Sequence, residues 1–185
     1  KINFCKVKNI KYDIAIVGGG IVGLSTAYKI QKKYPKLNLI ILEKEKELAF
    51  HQTGRNSGVI HSGLYYKPDS YRAKFCVDGR NQLIKFAKEN NISHDICGKI
   101  VLAVNQKEAT DLETLKKNGE QNGLENLQIL TPLQFKNIEP NAEGVAALWV
   151  PQSGIIDYKE VSNKFAELIK QLNPNSKGAL NCHLL

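Results

Sequence analysis

Tyr12-Asp13-Ile14-Ala15-Ile16-Val17-Gly18-Gly19-Gly20-Ile21-Val22-Gly23 decides the fold. Its first half is a short apolar, β-branched run of the kind that forms a buried parallel strand. Its second half is G-x-G-x-x-G, placed directly after the strand and at the opening of a helical pattern carried by Ile21, Leu24, Ala27, Tyr28 and Gln31. Gly18 permits the tight turn, Gly20 lets a pyrophosphate approach the main chain, and Gly23 lets helix and strand pack closely. The N–H groups of this stretch, Ile21 and Val22 included, face the phosphates together with the positive end of the helix dipole. The helix stops near Tyr34-Pro35, and Leu37-Asn38-Leu39-Ile40-Ile41-Leu42 supplies the second strand of a βαβ unit. Glu43 closes that strand twenty residues after Gly23, where its carboxylate suits a ribose hydroxyl and disfavours a 2′-phosphate. Lys44 stands beside it.

The turn implies a dinucleotide with an ADP half and does not by itself choose between NAD and FAD. A nicotinamide-binding domain continues into further βα units, whereas residues 44–68 lose their period and become rich in Gly, Ser, His, Asn and Tyr. Loops of that length are usually functional. The helix expected next covers residues 69–90, with Phe75, Leu83, Phe86 and Ala87 inward and Gly79 as a point of kinking. Alternation at Ile96, Gly98, Ile100, Leu102 and Val104 predicts a strand, residues 107–118 a helix, and residues 127–130 a short strand. Thr131-Pro132-Leu133-Gln134 predicts a helix running to Pro140, residues 144–150 a strand, and Asp157 with Glu160 the cap of a helix whose inward face is Val161, Phe165, Leu168 and Leu172.

Composition is that of an ordinary globular protein. The formal charge of +8 is spread over scattered lysines rather than a basic run, so nucleic acid is not expected as a partner. Cys5, Cys76, Cys97 and Cys182 lack metal-ligand spacing and read as reduced thiols, with no metal site expected. No stretch reaches the length of a membrane-spanning helix and no signal-peptide core is present, so a cytoplasmic location is expected, compatible with peripheral contact at the inner face of a membrane. The chain opens on Lys1 and holds no methionine, which leaves open that a gene product starts upstream.

The loop His51-Gln52-Thr53-Gly54-Arg55-Asn56-Ser57-Gly58-Val59-Ile60-His61-Ser62-Gly63-Leu64-Tyr65-Tyr66-Lys67-Pro68 carries a family resemblance. With the βαβ unit before it, the chain resembles the FAD-dependent oxidoreductases of the D-amino-acid oxidase type from about Tyr12 to Leu172, and within them most closely the L-2-hydroxyglutarate dehydrogenases and oxidases. The resemblance implies an α/β chain in which a Rossmann-like FAD-binding βαβ domain (residues 1–94) is followed by part of an α+β substrate domain (residues 95–172) and an irregular, truncated end (residues 173–185). It implies oxidation of a small dicarboxylic 2-hydroxy acid, with electrons passed to oxygen or a quinone. Other members of the type, acting on an amino acid or glycerol 3-phosphate, are the same-class alternative. A fragment of a split gene, inactive without a complementing carboxy-terminal polypeptide, is the non-enzymatic one, because no returning strand is legible after Leu172.

Under this reading Gly54, Gly58 and Gly63 let the main chain approach the flavin, and Thr53, Asn56 and Ser57 hydrogen-bond the pyrophosphate or ribityl hydroxyls or, equally, cap their own loop. His61 is the candidate base for the substrate hydroxyl, with a role as loop buttress of equal weight. His51 is not placed for covalent attachment, so FAD is expected to be non-covalent. Tyr65, Tyr66, Lys67, Arg72 and Lys74 are candidates for binding a dicarboxylate, against the commoner outcome of solvated charges and packed rings. His94 and His183 have no supporting constellation.

Overall fold

The computed structural model describes residues 11–182. In chain order the elements are β1 (Ile14–Val17), α1 (Ile21–Lys33), β2 (Leu39–Leu42), a 3-10 turn (Gln52–Gly54), β3 (Val59–Ile60), α2 (Tyr71–Glu89), β4 (His94–Asp95), β5 (Lys99–Ala103), α3 (Gln106–Gln121), β6 (Gln128–Leu130), α4 (Pro132–Lys136), β7 (Ala146–Val150), β8 (Gly154–Ile156), α5 (Tyr158–Leu172) and β9 (Lys177–Ala179). They form two compact units, one of residues 11–58 with 157–182 and one of residues 59–156. The division differs from the boundary expected at residue 94. The late helix α5 packs on α1 through Phe165, whose ring lies 5.3 Å from that of Tyr28, and through the buried Ile169. A contiguous reading of the chain cannot register such a return.

In the first unit a parallel sheet of order β1-β2-β9 carries α1 and α5. Leu24, Ala27 and Gln31 form the buried stripe of α1 and meet Leu39 and Ile41 of β2. Burying a side chain such as Leu24 or Leu39 in this way contributes about 2 kcal/mol. The expectation that β1 is a buried strand is corrected. Ile14 and Ile16 pack against the core, while Ala15 and Val17 point out, Val17 with 67% of its surface exposed.

The irregular end expected after Leu172 is also corrected, because β9 pairs in parallel with β2, Gly178 opposite Ile41. Its three residues carry no hydrophobic period. A buried polar network seats them instead. The Leu39 amide donates to Ser176 Oγ (2.8 Å), which donates to Gln31 Oε1 (2.7 Å). Gln31 Nε2 donates in turn to the carbonyls of Pro35 and Leu37, and Asn173 Nδ2 to that of Leu37. Gln31, Ser176 and Asn173 are all buried, so each must find its partners inside the protein.

The second unit holds two antiparallel sheets, β3-β8-β4 and β5-β7-β6. Its core joins Leu64, Ala103, Leu112, Leu124, Leu127, Leu148 and Val150. Helix α2 starts where Ser70 Oγ accepts from the Ala73 amide and runs uninterrupted through Gly79. Phe75 lies outward, correcting the inward placement: it stacks on Tyr71 one turn away and stays 71% exposed. Asn105 and Glu108 cap α3 reciprocally, the Glu108 amide donating to Asn105 Oδ1 and the Val104 amide to Glu108 Oε2. Helix α4 ends at Lys136, short of Pro140, and Leu172 is exposed at the end of α5, which corrects its inward placement. Among the described residues no helix is long and apolar enough to cross a membrane.

Replacing Gln31 by Leu removes the acceptor of the buried Ser176 hydroxyl and a donor to the carbonyls of Pro35 and Leu37. Urea unfolding of the variant is expected to show a loss of about 2–4 kcal/mol, with β9 the first segment to lose amide protection in hydrogen exchange.

Candidate cofactor site

The geometry of the turn follows from its glycines. Gly18 takes φ +105°, a conformation that side chains disfavour, and its amide donates to the Leu42 carbonyl (2.8 Å), binding the end of β1 to the end of β2. A Cβ on Gly23 would strike the Gly18 carbonyl, so α1 crosses the strand end at a distance only glycine allows. Gly19 is a third constraint that the motif reading did not name. It is buried, and a Cβ there would lie 2.6 Å from Leu48 Cδ2 and 3.0 Å from Glu43 Oε2. The run of three glycines was its signal.

Glu43 is buried and tied to backbone on both oxygens, with Gly19 N donating to Oε2 (2.6 Å) and Glu45 N to Oε1 (3.0 Å). The residue expected to hold a ribose therefore also closes the turn. Each oxygen keeps a further lone pair for a ligand hydroxyl. Thr53 serves the turn as well. Helix α1 has glycine at its N-cap and no side-chain cap of its own, and Thr53 Oγ1 accepts from the Ile21 amide (3.1 Å) across 32 residues of chain. The amides of Gly20, Val22 and Gly23 donate to no acceptor among the described residues.

Gly18 and Glu43 border a cleft of about 420 Å³ lined by Val17, Gly18, Leu42, Glu43, Lys44, His51 and Cys182. It opens beyond the carboxyl ends of β1 and β2, where open α/β sheets bind nucleotides. A Cβ built on Gly18 meets nothing within 4 Å, so the turn is open at this residue. The arrangement fits the pyrophosphate and ribose of an ADP-containing cofactor. Lys44 is exposed beside Glu45 (3.6 Å), and His51 Nε2 pairs with Glu45 Oε1 at 2.6 Å. That hydrogen bond, followed by the charges of His51 and Lys44, holds the Glu45 carboxyl below the usual carboxylate range.

The remaining loop residues divide between the two units. Asn56 caps its own loop, its Nδ2 donating to the carbonyls of Gln52 and Thr53 and its Oδ1 accepting from the Gly58 amide. Gly54 is required by the close approach of the Ala49 carbonyl. Ser57 is exposed, and Gly58 takes φ +70°. His61 belongs to the second unit. Its side chain is exposed, and the backbone around it is clamped by α2: Cys76 Sγ donates to the His61 carbonyl (3.5 Å) and Arg80 Nη1 to that of Ser62 (3.2 Å). Burial pushes the Cys76 thiol up and the Arg80 guanidinium down. Lys67, Arg72 and Lys74 are exposed, as solvated charges are. His94 Nδ1 pairs with the Ile92 carbonyl, and Cys5 and His183 lie outside the described residues.

Thr53→Val keeps the shape and removes the acceptor for the Ile21 amide. It is expected to cost about 1 kcal/mol in denaturant unfolding, while Thr53→Ser stays near wild type. His51→Ala is expected to raise the Glu45 carboxyl, read by carbon NMR. Because the folded value is depressed, the stabilisation from this pair is present above the ordinary carboxylate range and is lost as pH falls through the folded value.

The family model described as FAD dependent oxidoreductase (DAO) matches residues 13–173. The L-2-hydroxyglutarate dehydrogenase of Indibacter alkaliphilus is 49% identical over 156 residues, 84% of this chain and 39% of that protein. The mitochondrial L-2-hydroxyglutarate dehydrogenase of Homo sapiens is 47% identical over 156 residues, 84% of this chain and 34% of that protein. The chain thus spans 34–39% of the length of these two relatives. Among solved structures, the FAD-bound L-alpha-glycerophosphate oxidase of Mycoplasma pneumoniae aligns with a TM-score of 0.82 at 30% identity, covering 93% of this chain and 45% of that one. The glycine oxidase of Geobacillus kaustophilus shares the fold, with a TM-score of 0.78 at 23% identity over 91% of this chain and 46% of that one. With the glycine turn, its closing acid and the matched span all in one frame, the chain belongs to the FAD dependent oxidoreductases of the DAO family.

Proposed function

We propose that this chain binds FAD non-covalently and belongs to an enzyme that oxidises L-2-hydroxyglutarate to 2-oxoglutarate. The observation that carries the reading is the open, amide-lined turn closed by Glu43, in a chain 46–49% identical to L-2-hydroxyglutarate dehydrogenases. Gly20, Val22 and Gly23 supply main-chain donors to the pyrophosphate, Gly18 sets the turn, and the helix that starts at Ile21 adds its dipole. Glu43 accepts from the ribose hydroxyls, and Lys44 lines the same cleft. Thr53 holds the turn from behind, while Gly54, Asn56, Ser57 and Gly58 shape the loop toward the flavin. His51 is engaged with Glu45, which supports non-covalent binding.

FAD, when bound, supplies the acceptor for the hydride leaving C2 of the substrate, and oxygen or a quinone then takes the two electrons. His61 takes the hydroxyl proton as the C–O bond becomes a carbonyl, so charge does not build up on oxygen. Its exposed imidazole on a clamped backbone supports that role. Among the described residues β1 pairs only with β2, and this free edge supports a further strand there, such as a complementing polypeptide would bring. The 30% identity to a glycerophosphate oxidase supports glycerol 3-phosphate as the alternative substrate.

The test is anaerobic bleaching of the flavin band of the FAD-loaded full chain by L-2-hydroxyglutarate, its D-enantiomer, glycerol 3-phosphate and amino acids. Bleaching by the L-hydroxy acid alone is expected, slowed by about 10²–10⁴-fold in His61→Asn. Bleaching by glycerol 3-phosphate instead, or no uptake of FAD, would overturn the reading.

A further inference from the structure

We propose that Tyr65 and Lys99 form a carboxylate receptor that selects a dicarboxylic substrate. The inference rests on the function proposed above for the reaction, and on the second unit alone for its geometry. Lys99 Nζ lies 4.5 Å from the centroid of the Tyr65 ring and donates to its phenol oxygen at 3.4 Å. No carboxylate within the described residues pairs with Lys99.

Both partners are held in place. Lys99 opens β5 opposite Val150, directly after Gly98, whose φ of +73° and lack of Cβ fit it against the Trp149 ring. Tyr65 follows Leu64, which is buried in the core, and sits in a turn where the Tyr66 amide donates to the Gly63 carbonyl. Asn122, at the end of α3, bridges that turn with one amide group. Its Nδ2 donates to the Gly63 carbonyl (3.1 Å) and the Tyr66 carbonyl (2.8 Å). The tyrosine is 59% exposed, so the pair is fixed from below and open to a ligand.

The donor arithmetic points to an anion. An ammonium has three N–H donors, and here one goes to the phenol oxygen. Because that oxygen accepts from lysine, its own O–H is directed elsewhere and is free to donate. A carboxylate can take one N–H from Lys99 and the O–H from Tyr65, both charge-assisted. The ring beneath keeps the ammonium from swinging away. A formal charge of +8 on the chain favours the approach of a dianion. Of the residues that the resemblance offered for this role, Lys67, Arg72 and Lys74 have no such support, whereas Tyr65 gains a partner 34 residues away.

The test uses the full chain, with glutarate as a redox-inert probe in calorimetric titration and circular dichroism to establish folding. Lys99→Gln is expected to weaken glutarate binding by about tenfold or more, Tyr65→Phe by a smaller factor, and Lys99→Arg to stay within about threefold of wild type. With FAD loaded, Lys99→Gln is expected to abolish the preference for L-2-hydroxyglutarate over the monocarboxylate 2-hydroxybutyrate. Absence of glutarate binding in the wild type, or equal binding by folded Lys99→Gln, overturns the receptor. Lys99-dependent glutarate binding without bleaching by L-2-hydroxyglutarate leaves the receptor standing and removes the substrate assignment. Bleaching that is indifferent to Lys99 does the reverse.

Discussion

The first unit depends on one close approach, that of α1 to the end of β1 at Gly23 and the Gly18 carbonyl. Any side chain at Gly23 would push the helix off the strand, and the Leu24–Ala27–Gln31 stripe would lose its place over β2. Thr53 takes the Ile21 amide, while those of Gly20, Val22 and Gly23 have no acceptor among the described residues, and amides of this kind are the electrostatic basis of anion binding at a helix start. Packing and function therefore make the same demand on these glycines. Glu43 carries a double load under the proposed reading, since the carboxylate assigned there to a ribose is what fastens the turn to the second strand.

Buried polar groups do the work in this protein that hydrophobic periodicity does elsewhere. Gln31 sits in the middle of an apolar helix face with no surface exposed, and its amide satisfies loop carbonyls and the Ser176 hydroxyl together. A network of this kind is stable only when every member is paired, so it specifies one position for the returning segment. It brings Lys177–Ala179 against β2 although those three residues have little to bury. Thr53 is comparable: a loop side chain supplies the cap that a glycine N-cap lacks.

In the second unit the residues proposed for chemistry stand on turns held by side chains of α2 and by Asn122 at the end of α3. Cys76, Arg80 and Asn122 together hold the carbonyls of His61, Ser62, Gly63 and Tyr66, while Leu64 anchors the same stretch in the core. The exposed imidazole of His61 and the exposed ring of Tyr65 thus stand on backbone with little freedom. Precision of that kind is what separates a solvated side chain from a functional one.

The sequence by itself determined the βαβ unit, the dinucleotide turn with its acid, the FAD-type loop and the family, because each rests on local pattern: β-branched runs, glycine spacing and a short-range order of residue types. It also read the caps of α4 and α5, at Thr131 with Gln134 and at Asp157. Only the tertiary structure decided that Val17 and Phe75 face outward, that α5 returns to α1, that β9 exists, and that Lys99 lies over Tyr65. Those features are made by partners distant along the chain, such as Gln31 with Ser176 or Tyr65 with Lys99. Neither member of such a pair carries a local periodic signal. What joins them is the closing of one core against another segment, and that appears only in three dimensions.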